Sequence, residues 1–259
     1  MSILEVKTLS RENENVTLDY SLDHIRNHIS SGKPLIIRGL LSEKESEHLI
    51  KYSCEINKNK SLSCPKVENG IPNYHRIDEN VKKSKVKSIL HLYTFFYWNK
   101  ESNPVSTYFK RLFKIRNIIS NLPEDYALNN IQEGLISIPT VQQYPRGGGY
   151  MQEHLDPDTG QKAIFSTLLS KPGRDFSKGG LFYRDEKNEK IYMDTILGPG
   201  DSFVFYPSAS HGVDPIDDEM PLDWNKTDGR WMCFSALVTA SSLNGENDGT
   251  SGKAVINID

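Results

Sequence analysis

Cysteine is scarce in this chain, and its count is odd. Cys54, Cys64 and Cys233 are the only three in 259 residues, and so sparse a set excludes a disulfide framework. The ten-residue step from Cys54 to Cys64, with no second pair, also excludes a zinc knuckle. Long apolar runs are missing. Those present, such as residues 202–206, fall far short of the ~20 residues that span a membrane. The first 20 residues mix charges through every window and show no apolar segment of a secretory leader. No sign of charge dominates, because 31 basic residues face 34 acidic ones, and the net charge of -3 leaves no electrostatic footprint for nucleic acid. No internal repeat is visible. The expectation is a reduced, cytoplasmic protein, monomer or homodimer, with neither nucleic acid nor membrane as a partner.

What is present suits a packed domain: 37% hydrophobic and 25% charged residues. Residues 1–33 read as a polar arm with one short helix near Leu22 to Ile29. Residues 34–38 form an apolar run closed by Gly39, which reads as a strand. Ser42 followed by Glu45 is a capping-box signature, and Leu49, Ile50 and Tyr52 extend an apolar face, so a helix is expected from about Glu43 to Cys54. Residues 55–85 are rich in lysine and asparagine, hold Pro65 and Pro72, and read as a long loop. Aromatic residues crowd the next stretch, with Tyr93, Phe95, Phe96, Tyr97 and Trp98 as core candidates. Pro104 opens a third helix on which Val105, Phe109, Leu112, Phe113 and Ile119 recur near helical spacing, and Asn121-Leu-Pro123 ends it.

The texture changes after residue 130. Short runs rich in Ile, Val, Thr, Phe and Tyr alternate with Gly/Pro/Asp turns, at 135–144, 163–170, 180–184, 190–196, 201–206 and 230–239. Many short strands with turns between them predict a sandwich or barrel. The expected class is mainly β with a helical annex (α+β). A helical N-terminal region over 1–130 would pack on a β core over 131–240, followed by a polar tail over 241–259.

Seven histidines occur, five of them in the first half. His154 lies in Glu-His-Leu-Asp156-Pro157. If that segment is extended, His154 and Asp156 point to one face and converge on one ion, and Pro157 stops the strand just after them. Asp158, two further on across a proline, reads as a turn residue, and Gly147–Gly149 as a turn. His211 follows a turn, an apolar strand and a short loop. Two histidines and one carboxylate on one face of a β fold form an open facial metal site, although catalytic zinc accepts three ligands too. Arg230 discriminates between them. It opens the last strong strand, 19 positions after His211, and a guanidinium there would grip a distal carboxylate through two parallel hydrogen bonds.

This order, His-x-Asp, a distant His and then Arg, resembles the Fe(II)/2-oxoglutarate dioxygenase superfamily, and most closely its prolyl-hydroxylase-like branch. The parts that carry the resemblance are Gln143-Tyr144-Pro-Arg-Gly-Gly-Gly-Tyr150, Gly179-Gly180-Leu-Phe182 and Leu197-Gly-Pro-Gly-Asp201, over roughly residues 135–238. The resemblance implies a double-stranded β-helix (jelly roll) core and a hydroxylase that binds iron through His154, Asp156 and His211. It implies the cofactors Fe(II), 2-oxoglutarate and O2, with ascorbate as an optional reductant, and release of succinate and CO2. It also places Tyr144 beside Arg230 as a 2-oxoglutarate contact. The first segment is also similar to hydroxylases and halogenases of free amino acids. Halogenases of that group carry a small residue where Asp156 stands, so the resemblance implies hydroxylation or another oxygen-dependent outcome such as desaturation or cyclisation, and not chlorination. Two departures stand out: the His211-to-Arg230 gap is long, and Met232 replaces the serine of many members.

A small polar substrate such as a free amino acid follows as the expected partner. His75 and Arg76, in the polar cluster Asn73–Asp78, and Trp224, in an acidic insert at 217–228 read as a flap over the site, are the candidate substrate contacts. Two other readings stay open: a non-enzymatic metal-binding jelly roll acting as sensor or scaffold, and a zinc hydrolase with Glu153 as its base. The second is disfavoured because Glu153 neighbours His154 and would face the other way.

Overall fold

The structure, a computed structural model, describes residues 3–56, 60–61, 68, 70–82, 84–128, 130–157, 159, 161–240 and 253–254. In chain order it contains β1 (Leu4–Glu12), β2 (Asn15–Leu18), α1 (Leu22–Ser30), β3 (Leu35–Arg38), α2 (Glu43–Ile56), β4 (Lys60–Ser61), β5 (Tyr74–Glu79), β6 (Ser88–Thr94) and α3 (Asn103–Ile119). Then come β7 (Leu135–Ser137), β8 (Thr140–Pro145), β9 (Gly149–Leu155), β10 (Ile164–Leu168), β11 (Gly180–Arg184), β12 (Lys190–Tyr192), β13 (Ser202–Phe205), β14 (His211–Ile216), β15 (Gly229–Ser235), β16 (Leu237–Thr239) and β17 (Lys253–Ala254).

Successive strands from β8 to β15 are shared between two walls. One wall runs β8-β15-β10-β13 and the other β12-β11-β14-β9, with β6 hydrogen-bonded to both β8 and β9. This is the expected jelly roll. Strand alternation sorts its residues. Leu90, Tyr144, Met151, Leu168, Phe203, Phe205 and Met232 fill the interior. Their sequence neighbours Tyr93, Val141, Phe165, Val204, Trp231 and Cys233 face outward, under Val105, Phe109, Leu112 and Phe113 of α3 and Leu49 of α2.

Local chemistry fixes the helices. Ser21 Oγ accepts from His24 N at the start of α1. The capping box of α2 closes both ways: Glu45 N donates to Ser42 Oγ at 3.2 Å and Ser42 N to Glu45 Oε2 at 2.7 Å. Pro104 sits in the first turn of α3, where its missing N–H leaves no gap. No helix among the described residues is long and apolar enough to cross a membrane.

Three expectations change. The arm over 1–33 holds a hairpin besides its helix, and β1 runs parallel to β3 with Val6 fully buried. The loop expected over 55–85 contains β5, paired along its whole length with β6. Tyr74, His75, Arg76 and Asp78 of β5 are buried, so its polar residues find partners indoors and leave no apolar alternation to read. The first 130 residues are therefore not simply helical, since β1, β3, β5 and β6 all join the main sheet. In the tail, β17 pairs with β9 at Leu155 and His154. The rest of 241–259, Asp158 and Cys64 lie outside the described residues. Cys54 and Cys233 are free thiols.

The Leu197–Asp201 turn shows how tightly the barrel is tied to its N-terminal strands. Asp201 accepts from Gly39 N, Gly198 N and Arg38 Nη1, and Leu41 N donates to Gly200 O. Gly200 has φ +89°, and a Cβ there would collide with the Leu41 carbonyl. Gly200→Ala should therefore lose about 1–3 kcal/mol or more of stability in urea unfolding followed by circular dichroism. Gly198→Ala is the control with little effect, because its Cβ would meet only Asp201 Oδ2 at 3.7 Å.

Candidate metal centre and its cavity

His154 and His211 face each other across the β9–β14 ladder, where they form a cross-strand pair. Asp156 follows two residues after His154, beyond the strand end. Ligand-capable atoms of the three side chains all lie within 4.8 Å of one another. Nε2 of His154 is 3.6 Å from Asp156 Oδ1, and Nε2 of His211 is 3.5 Å from Asp156 Oδ2. Each imidazole is oriented from behind: His154 Nδ1 meets Gln152 O at 2.9 Å and His211 Nδ1 meets Ala209 O at 2.9 Å. A carbonyl only accepts, so Nδ1 carries the proton in both rings and the Nε2 lone pairs point at Asp156. Burial, with His154 alongside, pushes the His211 pKa down to about 4, which keeps that lone pair available at neutral pH. Burial opposes ionisation of Asp156, but attraction to His211 and His154 in their protonated forms outweighs it and holds its carboxyl below the usual value. Asp156 Oδ2 is buried and accepts no hydrogen bond among the described residues. Two imidazoles tethered through Nδ1 and an orphaned carboxylate oxygen are the donor set that a divalent cation completes.

The three residues line a cavity of about 150 Å³ whose walls include Met151, Leu181, Phe205, Met232 and Phe234. A void of ~150 Å³ takes a benzene-sized ligand. Glu153 lies on the other face of β9, clamped by both arms of Arg184 at 2.6 and 2.8 Å and by Ser210 Oγ. Arg184 holds its carboxyl below the ordinary range. It is not a base at the cluster, as alternation indicated.

Arg230 departs from expectation. It is wholly buried and points inward, opposite Tyr144 in the β8–β15 register. Its fork is already engaged: Nε and Nη2 meet Asp194 Oδ2 and Oδ1 at 2.6 and 3.0 Å. Only Nη1 is left without a partner among the described residues, so a two-armed grip on a ligand carboxylate is replaced by one free donor arm. Asp194 is itself fixed by Leu181 N at 2.8 Å and nestles against Gly180, where φ is +118° and a Cβ would strike the Asp194 carboxylate. That contact explains the second glycine of the Gly179-Gly180 pair. Tyr144 lines the cavity, its ring 5.6 Å from the Arg230 guanidinium. It donates to Gln142 Oε1 at 2.7 Å, and burial raises its pKa, which keeps it protonated.

The substrate candidates separate. Arg76 lines the cavity, and so does Asp78, which sequence reasoning passed over. His75 does not. It sits on the opposite face of β5, stacked on Tyr93 at 4.4 Å and bonded to His91 at 2.8 Å. Trp224 is likewise outside, edge-on to His91 at 5.0 Å. The 217–228 insert is therefore not a flap over the cavity. It packs on the outer side, with Lys226 O and Asp228 O taking Gln143 Nε2 and Thr227 O taking Trp231 Nε1. Asp217 anchors it by accepting from Arg146, Ser177 N and Lys178 N. Asp194 and Gln142 were also missed. No local pattern marks Asp194, whose role exists only through Arg230, 36 residues away.

No protein-family model matches the chain, and no curated protein does. Solved structures do match. A prolyl-4-hydroxylase from Pseudomonas putida is 13% identical, covering 84% of this chain and 97% of its own, with a TM-score of 0.50. A prolyl hydroxylase in complex with a hypoxia inducible factor oxygen degradation domain peptide fragment, from Trichoplax adhaerens, is 12% identical, covering 86% and 90%, with a TM-score of 0.51. The non-heme alpha ketoglutarate dependent epimerase SnoN from nogalamycin biosynthesis is 9% identical, covering 84% and 82%, with a TM-score of 0.52. The chain has the fold of these proteins.

Two outcomes follow. Titration of the metal-free protein with Mn(II) or Co(II) in a calorimeter should show one site. His154→Ala, Asp156→Ala and His211→Ala should each weaken it by more than the ~10–100-fold typical of losing an outer-sphere partner, with Glu153→Gln unchanged. Arg230→Met strands the buried Asp194 carboxylate and should lower stability by about 3–5 kcal/mol. Adding Asp194→Asn should recover much of that loss in the same urea unfolding assay.

Proposed function

We propose that this protein is an iron(II)- and 2-oxoglutarate-dependent oxygenase. In this reading it hydroxylates an unactivated C–H bond of a small polar substrate such as a free amino acid, releasing succinate and CO2. The observation that carries the reading is the convergence of His154, Asp156 and His211 within 4.8 Å on a cavity wall. The metal ligands are His154 Nε2, Asp156 and His211 Nε2. When bound, Fe(II) and 2-oxoglutarate supply, with O2, the oxidising power that cleaves a C–H bond.

The chain's own residues prepare the site. Gln152 O and Ala209 O hold the two imidazoles in the ligating tautomer. Asp156 fills the place a halide would need, which favours oxygen transfer over halogenation. Arg230 Nη1, a buried donor without a partner among the described residues just behind the cavity wall, and the Tyr144 hydroxyl on that wall, once turned from Gln142, are the groups for the far carboxylate of 2-oxoglutarate. Asp194 holds the guanidinium plane in place while it neutralises its charge. Apolar walls from Met151, Leu181, Phe205 and Phe234 keep water from the reacting centre.

Anaerobic mixing with Fe(II) and 2-oxoglutarate should give the weak visible charge-transfer band of a keto acid chelated to ferrous iron. In the charge-neutral double variant Arg230→Met/Asp194→Asn, the 2-oxoglutarate concentration giving half the band should rise about tenfold or more, the loss of one charge-assisted hydrogen bond. A wild-type protein that binds metal and shows no band would be a metal-binding scaffold, and the oxygenase reading would fall.

A further inference from the structure

Residues 142 and 143 are both glutamine, and the pleat of β8 sends them to opposite sides. Gln143 faces outward, where its Nε2 donates to Lys226 O and Asp228 O. Gln142 lines the cavity. It lies between Leu92 of β6 and Met232 of β15 in the ladder register, and its Oε1 accepts the Tyr144 hydroxyl at 2.7 Å. Gln161, Thr140 and Ser166 on the same lining are tied to fixed parts of the fold. Gln161 bonds the Leu237 backbone at both ends of its carboxamide, Thr140 Oγ1 donates to Ile138 O, and Ser166 Oγ donates to Met232 Sδ. Gln142 differs, because its partner is the hydroxyl assigned above to 2-oxoglutarate. A phenol has one proton to donate, so Tyr144 cannot serve that carboxylate while it serves Gln142. Fold stability does not explain the pair. Replacing both partners of a buried hydrogen bond with apolar groups of the same shape is nearly neutral, and Leu92, Met151 and Met232 of the same lining are apolar.

We propose that Gln142 links the two ligands of this cavity: it holds the Tyr144 hydroxyl until 2-oxoglutarate binds, and its carboxamide oxygen, once released, accepts from an N–H or O–H donor of the substrate. This inference rests on the oxygenase reading above. The exchange conserves hydrogen bonds. Tyr144 trades a carboxamide oxygen for a carboxylate oxygen, the stronger acceptor. The Gln142 oxygen is then left without a donor beside apolar walls, which is costly. A substrate that carries a donor, such as a free amino acid through its ammonium, restores the bond. Two consequences follow. Gln142 competes with 2-oxoglutarate for one hydroxyl, so its removal strengthens co-substrate binding, the opposite of losing a ligand contact. The substrate binds more tightly after the co-substrate than before it, and by linkage the coupling is mutual.

Calorimetry on the full-length, Mn(II)-loaded protein tests both. Gln142→Met keeps the side-chain volume and removes the acceptor. It should bind 2-oxoglutarate about threefold or more tightly than wild type, the scale of one neutral hydrogen bond. In a Tyr144→Phe background the same substitution should change nothing, whereas a packing effect would appear in both backgrounds. Unchanged Mn(II) binding reports that each variant folds. Among the neutral L-amino acids, at least one should bind wild type about fivefold or more tightly with saturating 2-oxoglutarate than without it, and Gln142→Met should lose that gain. The link is overturned if Gln142→Met leaves 2-oxoglutarate binding equal or weaker, if its effect persists in the Tyr144→Phe background, or if no neutral L-amino acid shows the gain. In each of those cases 2-oxoglutarate binding by the wild type leaves the oxygenase reading standing. A wild type that binds Mn(II) and no 2-oxoglutarate removes both.

Discussion

The cross-strand pairing of His211 with His154 governs the cavity. Both residues sit where β14 and β9 meet, and both rings are held from behind by a carbonyl two residues earlier in their own chain. Asp156 then needs only the period of an extended backbone to reach the same point. A one-residue slip of β14 against β9 would turn His211 to the outside and leave His154 and Asp156 with half a site. The barrel interior specifies this register, because the same slip would expose Val213 and Ile216, which are buried with Met151 and Leu181.

Charge inside this barrel is arranged in pairs. Arg230 is matched by Asp194, and Arg76 by Asp78. A lone guanidinium at such depth would carry a large desolvation penalty, and a partner carboxylate removes most of it. Pairing also changes what each arginine offers a ligand. Among the described residues, Arg230 keeps one arm without a partner, and Asp194 neutralises its charge. The Arg76–Asp78 pair lines the cavity. The glycine at Gly180 belongs to this arrangement, because it makes room for Asp194.

The two faces of β5 show how finely function is sorted by the pleat. His75 and Arg76 are neighbours in sequence and equal candidates by residue type. Alternation sends Arg76 into the cavity and His75 into a stack with Tyr93 and His91 under Trp224. The 217–228 insert follows the same division. It closes over the outer face through Lys226, Thr227 and Asp228, and supports the wall from behind.

Much was legible in the order of residues. Ser42 and Glu45, Pro104, and the glycine and proline turns after residue 130 act within a few residues of themselves, so they placed α2, α3 and most of the barrel strands. His-x-Asp was legible for the same reason, since extended backbone alone puts both side chains on one face. What the order of residues left undecided depends on partners far along the chain. β5 is a strand because β6 covers one edge and Tyr74, His75, Arg76 and Asp78 are buried, and a segment whose polar groups are satisfied indoors looks like a loop in sequence. Among the described residues Arg230 has one free arm because Asp194, between β12 and β13, takes the rest of its fork. Whether Arg76 or His75 lines the cavity was settled by which face of β5 the barrel encloses. Local backbone preferences are written in the sequence; which surface becomes the inside is decided only when the two walls close.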